Sequence, residues 1–560
     1  MNDSTRRWLA MAAISVSVLV VSLDLTVLSL ALPTIAATMH ASTGDLQWIT
    51  DAYALVIAAL ILPAGLLGDR YGRKKVLLAA LVVFVASSVW CAYAVSVGEL
   101  IAARAVLGIG AAAVFPMAIS VIPVMFREEE RQKAISVMAA SLFLAYPIGP
   151  IIGGFLLNHF WWGSVFLINV PIVAVALAAV TLLLPESRAA KRPRLDFPGI
   201  VISSAGLTAV TYGFIKAGQN GWADALALTT IFTGLAVLVG FVWWERFTAR
   251  RSGAQPLVDL SLFQVASFRW GTLLMTFVSF AMFGLFFTAP QYFQDVRGAT
   301  PLGSGMRLLP LIGGMVVGMI AGTRLQSPPR RRAARARESV PDGRPGAVPG
   351  AAPAPVVGAK ALVTVGFAIM AAALAAGAFT SVSSGTGFGA AWFAVAGAGL
   401  GLAMPSAMNA AIGALSAERS GAGSAVITAF RQVGATLGAA ILGTVLSSAY
   451  QARLHLAGLP AAAASTVHSG VSGGVAVAHA LDSASLLGSV DGAFVHGLDV
   501  MLWVCAGIAL AAALLGLAFL PSRAGAGEAA GQPMPGAGQA GAEPETAGAP
   551  AMTRDAAGTE

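Results

Sequence analysis

The sequence has little charge for its size. Only 11% of its 560 residues are charged, where a soluble domain carries about 25%. A soluble fold of this length needs more charge to cover its surface. Two cysteines, Cys91 and Cys505, both sit inside apolar runs, which argues against a disulfide framework and against a cysteine metal cluster. The six histidines show no metal spacing. There is no Gly-rich phosphate loop ending in GK[ST], no triad spacing and no HExxH, so neither an ATPase nor another enzyme is indicated, and no cofactor is implied. The 63 glycines fall far below one residue in three, which excludes collagen.

What the chain does have is 57% hydrophobic residues and a mean hydropathy of +0.79. Disorder is excluded for most of it. The apolar runs are continuous rather than alternating, so the expected class is an all-α polytopic membrane protein and not a β-barrel. A signal-like run opens at residue 11 but continues through Asp24 and ends in LPTIAATM, which reads as a retained first span.

A membrane helix needs roughly 20 apolar residues. Fourteen candidate spans follow, at about 11–34, 47–67, 76–95, 100–123, 134–157, 162–184, 198–218, 226–246, 270–293, 304–323, 361–382, 388–412, 424–448 and 498–520. Basic residues stay on the cytoplasmic side of short loops. With the N-terminus inside, the inner loops carry Arg70 to Lys75, Arg127 to Lys133, Arg188 to Arg194, Arg246 to Arg251, and Arg324 to Lys360. The opposite loops offer only Lys216, Arg297, Arg307 and Arg453. This split predicts an even span count with both termini inside. Basic clusters beside spans are expected topology anchors and lipid-headgroup contacts, so the net charge of +8 does not point to nucleic acid. Residues 325–359 read as a cytoplasmic linker, 449–497 as a long external loop with a weak helical signal at 475–490, and 521–560 as a disordered cytoplasmic tail.

Three ionisable residues stand out. Asp24 lies mid-span in VSLDLTVLSLALP, where facing lipid would cost about 2.5–3.5 kcal/mol. It must therefore face a cavity, a partner or water, either as a proton carrier or as a structural carboxylate bonded to neighbouring helices. Asp51, in WITDAYALV beside Trp48 and Tyr53, can attract a cationic substrate, share protons with Asp24, or serve the free N–H groups of a helix start. Arg104 opens the fourth span and either snorkels to the interface or turns inward to pair with a carboxylate; Arg431 has the same two options.

Two glycine-rich segments carry shape. In GLLGDRYGRKK, Gly65 and Gly68 permit close packing, Gly72 permits a turn, and Asp69 can meet a helix N-terminus or an arginine. The segment reads as a charge-based conformational switch or as a solvated inner loop. In YPIGPIIGG, Pro147 and Pro150 remove backbone donors while Gly149, Gly153 and Gly154 leave a helix face bare. That predicts a bent, closely packed helix, either sealing one side of a cavity or merely kinked.

These motifs resemble the major facilitator superfamily, in its fourteen-span drug:proton antiporter branch. LDLTVLSLALPTI at 23–35 resembles the branch's first-span signature, with Asp24 at its acid. GLLGDRYGRKK resembles the superfamily loop signature through Gly65, Gly68, Asp69, Arg70, Gly72 and Arg73. ARAVLGIGAA resembles the fourth-span motif, with Arg104 at the essential basic position and Leu107 where a glutamine is usual. YPIGPIIGG resembles the fifth-span motif of exporters, and FLINVP, PQYFQDVRG and GAGSAVITAFRQVGATLGAAILG extend the likeness. Among branch members it is most similar to quaternary-ammonium exporters, which also carry an acid at the place of Asp51. Late-span acids of such exporters have no counterpart within 361–448, where Glu418 is placed in a loop.

The resemblance implies two six-helix bundles, at about 11–184 and 270–520, after a short N-terminus of about ten residues and with two inserted helices within 185–269. It implies a monomeric multi-pass antiporter of the bacterial cytoplasmic membrane, with drugs, protons and lipids as partners. Asp24 and Arg104 would couple protons, and Asp51, Asp24 and Tyr53 would bind substrate. The loop signature would switch conformation and the fifth span would gate. The alternative is a dedicated exporter of one endogenous antibiotic.

Overall fold

The computed structural model describes residues 3–188, 196–250, 257–326, 357–413, 415, 417–456 and 458–521. Most of the expected linker and tail, and parts of two basic inner loops, lie outside the described residues. Those residues form helices and no strand. In chain order they are α1 (Asp3–Met39), α2 (Thr43–Tyr71), α3 (Arg73–Ala92), α4 (Val97–Met125), α5 (Glu128–His159), the single turn α6 (Ser164–Leu167) and α7 (Asn169–Leu183). Then come α8 (Phe197–Asn220), α9 (Ala225–Arg250), α10 (Ala266–Gln291), α11 (Pro301–Gln326), α12 (Ala359–Gly377), α13 (Thr386–Ile412) and α14 (Ala417–Arg453). Two short helices, α15 (Ala461–Ser469) and α16 (Val471–Ala480), precede α17 (Ala484–Phe519).

Thirteen helices among the described residues are long and apolar enough to cross a membrane. The remaining candidate span, 134–157, falls on α5, a helix of 32 residues. Helices apolar on every side follow from burial on one face and lipid on the other. Leu182 and Val239, at 73% and 71% exposure, belong to such outer faces.

Local signals set where helices begin. Ser42 caps α2: its Oγ accepts from the Asp45 N–H at 3.2 Å, while Asp45 Oδ2 accepts from the Ser42 N–H at 2.9 Å. Gly72 separates α2 from α3 at φ +114°, a backbone region that a side chain disfavours.

Burial resolves into two apolar cores. One draws on α1 to α7 plus Phe287 and Ala429. The other draws on α10 to α17 plus Leu30, Val258 and Leu262. Neither core takes a buried residue from the inserted pair α8 and α9. The two sets of helices meet at the end of the molecule that carries Ser42. There Gln47 Nε2 donates to the Ala440 carbonyl at 2.9 Å and Thr43 Oγ1 donates to the Ser469 carbonyl at 3.1 Å. Gln294 Nε2 donates to the Leu30 carbonyl at 2.9 Å, and the Leu302 N–H donates to Asn158 Oδ1 at 3.3 Å.

The segment 449–497 is not the loop expected of it. α14 runs on to Arg453, α15 and α16 follow, and α17 starts fourteen residues before the expected last span, at Ala484. Tertiary contacts hold these helices: Tyr450 OH donates to the Val467 carbonyl at 2.9 Å, and Ser472 Oγ donates to Asp295 Oδ2 at 2.8 Å. Glu418, expected in a loop, belongs to the first turn of α14.

Candidate functional site

Asp24 and Arg104 face each other inside the first core. Arg104 Nη1 donates to Asp24 Oδ2, and both side chains are essentially inaccessible. Of the two options for Arg104, the structure therefore takes inward pairing. Asn169 Nδ2, from the start of α7, donates to Asp24 Oδ1 at 3.3 Å and to Ser88 Oγ at 3.2 Å. Arg104 Nε donates to the Ile49 carbonyl at 3.1 Å, and its guanidinium carbon lies 4.3 Å from the Tyr53 ring centroid. Tyr53 OH donates in turn to the Val21 carbonyl at 3.2 Å. Four helices, α1, α2, α4 and α7, thus converge on one ion pair. A buried pair of this kind costs heavily in desolvation and is held only by such extra hydrogen bonds. Removing either charge leaves the other stranded.

Asp51 sits on the same helix as Tyr53 yet outside that network. It is 0% exposed, and neither carboxylate oxygen has a hydrogen-bond partner. Being the ninth residue of α2, it lies beyond the four free N–H groups of the first turn, where Asp45 is the capping acid. The helix-start reading is thereby removed. In this state the group is enclosed, and Tyr53 is also fully buried, packed on Arg104.

At the opposite end from Ser42, Asp69 meets an arginine, not a helix N-terminus. Arg73 Nη2 and Nε both donate to Asp69 Oδ1, at 2.8 and 3.1 Å. The hairpin is tied to the end of α7: the Arg73 N–H donates to the Ser187 carbonyl at 2.8 Å, and Lys74 Nζ donates to the Thr181 carbonyl at 2.8 Å. Arg70 lies 5.5 Å from the Tyr71 ring. Gly68 packs against the Met117 thioether, which would have to move aside for a Cβ there. Gly65 is looser, with Pro116 Cβ 3.7 Å away.

α5 carries the bare face. A Cβ on Gly149 would overlap Thr26 of α1, and one on Gly153 would press on Val27 at 3.0 Å. A Cβ on Gly154 would come within 2.6 Å of the Leu302 Cα, and the Pro150 carbonyl stands close against Gly305. The bare face thus lies between α1 of one core and α11 of the other. Pro147 belongs to α5, but its side chain lies outside the described residues.

The second core contains further ionisable groups, of which Asp295, Asp491 and Asp499 do not stand out in the sequence. Asp295 ends the π-helical turn after α10 and accepts from Ser472 Oγ. Asp491 and Asp499 lie on α17, each with a buried Oδ1 that no donor reaches. Arg307 and Arg431 each keep a buried guanidinium nitrogen without a hydrogen bond. For Asp491 and Asp499, their spacing of eight residues is the available signal, since it brings both toward one side of a helix, but Asp491 falls in the expected loop 449–497 and Asp499 at the very start of the expected last span.

A sequence profile for the Major Facilitator Superfamily matches residues 14–337, more than half of the chain. The chain belongs to the major facilitator superfamily. It is 33% identical over 523 residues to the multidrug efflux pump LfrA of Mycolicibacterium smegmatis, covering 92% of this chain and 97% of that one. It is 35% identical over 315 residues to the tetracenomycin C resistance and export protein of Streptomyces glaucescens. That match spans 56% of this chain and 57% of the relative. The fold is similar to the crystal structure of a bacterial homologue of the human lysosomal transporter Spinster in an inward-facing, unoccupied conformation. The TM-score is 0.62 at 17% identity, covering 91% of this chain and 96% of that one.

Membership in the major facilitator superfamily makes this an all-helical, multi-pass membrane transporter and not an enzyme. Its characterised relatives include drug and antibiotic efflux proteins.

Proposed function

We propose that this protein is a proton-coupled antiporter that exports lipophilic, cationic drugs across the bacterial cytoplasmic membrane by alternating access. The observation that carries the reading is the buried Asp24–Arg104 pair. An ion pair without solvent contact, in a transporter with no ATPase motif, is a place where a proton can be exchanged for a conformational change. The proton gradient is the energy source and no cofactor takes part. The unit of function is the monomer.

In this reading fourteen spans run in a 6+2+6 arrangement with both termini inside. The Ser42 end is then external, and the contacts of Gln47, Gln294 and Asn158 close that side. Substrate enters from the inner side. A proton reaching Asp24 removes its charge, and Arg104 keeps its own because a guanidinium does not deprotonate in proteins. Arg104 then retains the Ile49 carbonyl and the Tyr53 ring as partners. That exchange of partners shifts α1 against α4, and α1 packs on the bare face of α5. The hairpin at Asp69 resets the inner side as its ion pair opens and closes. Asp51, Asp24 and Tyr53 provide the negative and aromatic surface for a cation once the bundles part.

A second reading is a dedicated exporter of one endogenous antibiotic. The likeness to the tetracenomycin C export protein favours it. Drug-driven proton release in inverted vesicles, tested against lipophilic cations and neutral antibiotics, separates the two. Movement of several cations supports the first reading, and movement of one neutral compound alone supports the second. Cysteines at Val340 and Gly470 test the topology: an external impermeant reagent should label only the second.

A further inference from the structure

Three helices from three parts of the molecule touch at the Ser42 end: α2 of the first core, α14 of the second, and α8 of the inserted pair. Each contact is made at a glycine. A Cβ on Gly44 of α2 would overlap Gln219 of α8, one on Gly218 of α8 would press on Thr444 of α14, and one on Gly443 of α14 would overlap Gln47 of α2. Thr444 Oγ1 also donates to the Phe214 carbonyl at 2.7 Å.

Seven residues are close to two helical turns, so positions seven apart share a face about 10 Å apart along the axis. One such step toward the Asp69 end from Gly44 is Asp51. The same step from Gly218 is Thr211, and from Gly443 it is Thr436. All three are buried, at 0%, 0% and 2% exposure. The Asp51 carboxylate oxygens and both threonine hydroxyls lack any hydrogen-bond partner. Each inward step therefore ends on a buried, unpartnered polar group on the helix face that carries its junction glycine.

We propose that Asp51, Thr211 and Thr436 form one enclosed proton site, shared by the two bundles and the inserted pair. It deepens the reading of Asp51 as a transport group by naming what it holds while the Ser42 end is shut. An isolated carboxylate in such surroundings is costly unless a cation cancels its charge. A bulky drug does not fit an enclosed site. A divalent metal takes six or more oxygen ligands, and one carboxylate with two hydroxyls falls short. A proton suffices: it binds one Asp51 oxygen, and the resulting acid donates to a threonine Oγ by side-chain rotation. Opening the Ser42 end separates α2 from α14 and breaks the site, so proton occupancy and closure support each other. The inserted helices become part of the transport machinery through Thr211.

Other charges surround the site. α4 brings Arg104 and α1 brings Asp24, which are paired with each other. α8 brings Tyr212 and Lys216, whose Nζ donates to Gln219 Oε1 at 3.0 Å. α14 brings Arg431, roughly one and a half turns from Thr436 toward the Asp69 side. α3 carries its charges at its start, Arg73, Lys74 and Lys75, and α2 itself adds Asp45 beyond Gln47.

Infrared difference spectroscopy on the purified full-length protein tests this without any transport assay. The expected result is a protonated-carboxyl C=O band at neutral pH that is lost in Asp51→Asn. Thr211→Val and Thr436→Val should each move that band to higher frequency, because the acid loses an acceptor, and Thr211→Ser should restore it. Thermal melts verify folding, and Thr211→Ala substitutes for the valine variant should that fail to insert. Absence of an Asp51-dependent band, or a Thr211→Val band at the wild-type position, overturns the proposal. A wild-type protein that exports nothing would undermine the antiporter reading and leave this infrared result standing.

Discussion

Asp24 and Asp51 are both carboxylates buried in neighbouring helices of one bundle, at 2% and 0% exposure, and their surroundings are opposite. Asp24 has partners from two other helices, Arg104 of α4 and Asn169 of α7. Asp51 has none. Both Asp24 oxygens accept a hydrogen bond, although Arg104 Nη2 in the same network lacks a partner, and a largely satisfied network favours one arrangement, whereas an unsatisfied carboxylate is costly where it stands. The first site therefore defines the resting packing of the bundle. The second marks where the bundle is unfinished without something from across the seam.

The sharpest way to break the comparison is Asp24→Asn. Losing one partner of a buried pair costs about 3–5 kcal/mol, because the remaining charge is stranded. The variant should lose uphill transport entirely and melt at lower temperature. Asp24→Asn combined with Arg104→Gln should recover most of the melting temperature and none of the transport. Recovery of both would reduce the pair to a structural feature.

Gly154→Val probes the seam itself. A Cβ there meets the Leu302 backbone at 2.6 Å, and backbone cannot step aside as a flexible side chain does. We expect about a tenfold loss of transport, of the size that a 1–2 kcal/mol packing conflict produces. A cysteine at Ser469 should become more reactive as the Ser42 end is forced apart. Gly65→Ala is the matched control, since its Cβ would stand 3.7 Å from Pro116, an ordinary contact.

Asp51→Asn separates charge from shape. Its amide keeps the volume and removes the negative charge. Expression-corrected efflux of a monovalent lipophilic cation should fall several-fold, roughly what one charge–charge contact of 1 kcal/mol supplies, while a neutral substrate is little affected. Equal loss for both would remove Asp51 from substrate recognition.

The smallest effect belongs to Asp69→Asn. The Asp69–Arg73 pair is partly exposed, and such pairs contribute about 0–1 kcal/mol and weaken with salt. Transport should fall less than about threefold, and the difference from wild type should shrink in 1 M salt. A loss as large as that of Asp24→Asn would mean that the hairpin carries more than this local contact.

Much of this was legible in the chain because ionisable residues are rare within apolar spans. Asp24, Asp51 and Arg104 stood out for that reason, and the glycines of GLLGDRYGRKK and YPIGPIIGG for theirs. Their pairing was not legible: Asp24 and Arg104 are 80 positions apart, and nothing local says that a helix end at Asn169 will meet them. Gly44, Gly218 and Gly443 were lost among 63 glycines, since only three-dimensional contact distinguishes a packing glycine from a spacer. The helices within 449–497 were missed because Ala, Gly and Ser give weak periodicity, and tertiary contacts of Tyr450 and Ser472 hold them instead.

Proton movement by purified protein in liposomes with an internal pH dye tests proton-coupled export most directly. Adding a lipophilic cation to the wild type should drive protons across in a fixed ratio to drug, and Asp24→Asn should abolish the proton signal. Drug transport by the wild type with no proton signal, or an unchanged ratio in Asp24→Asn, would contradict it.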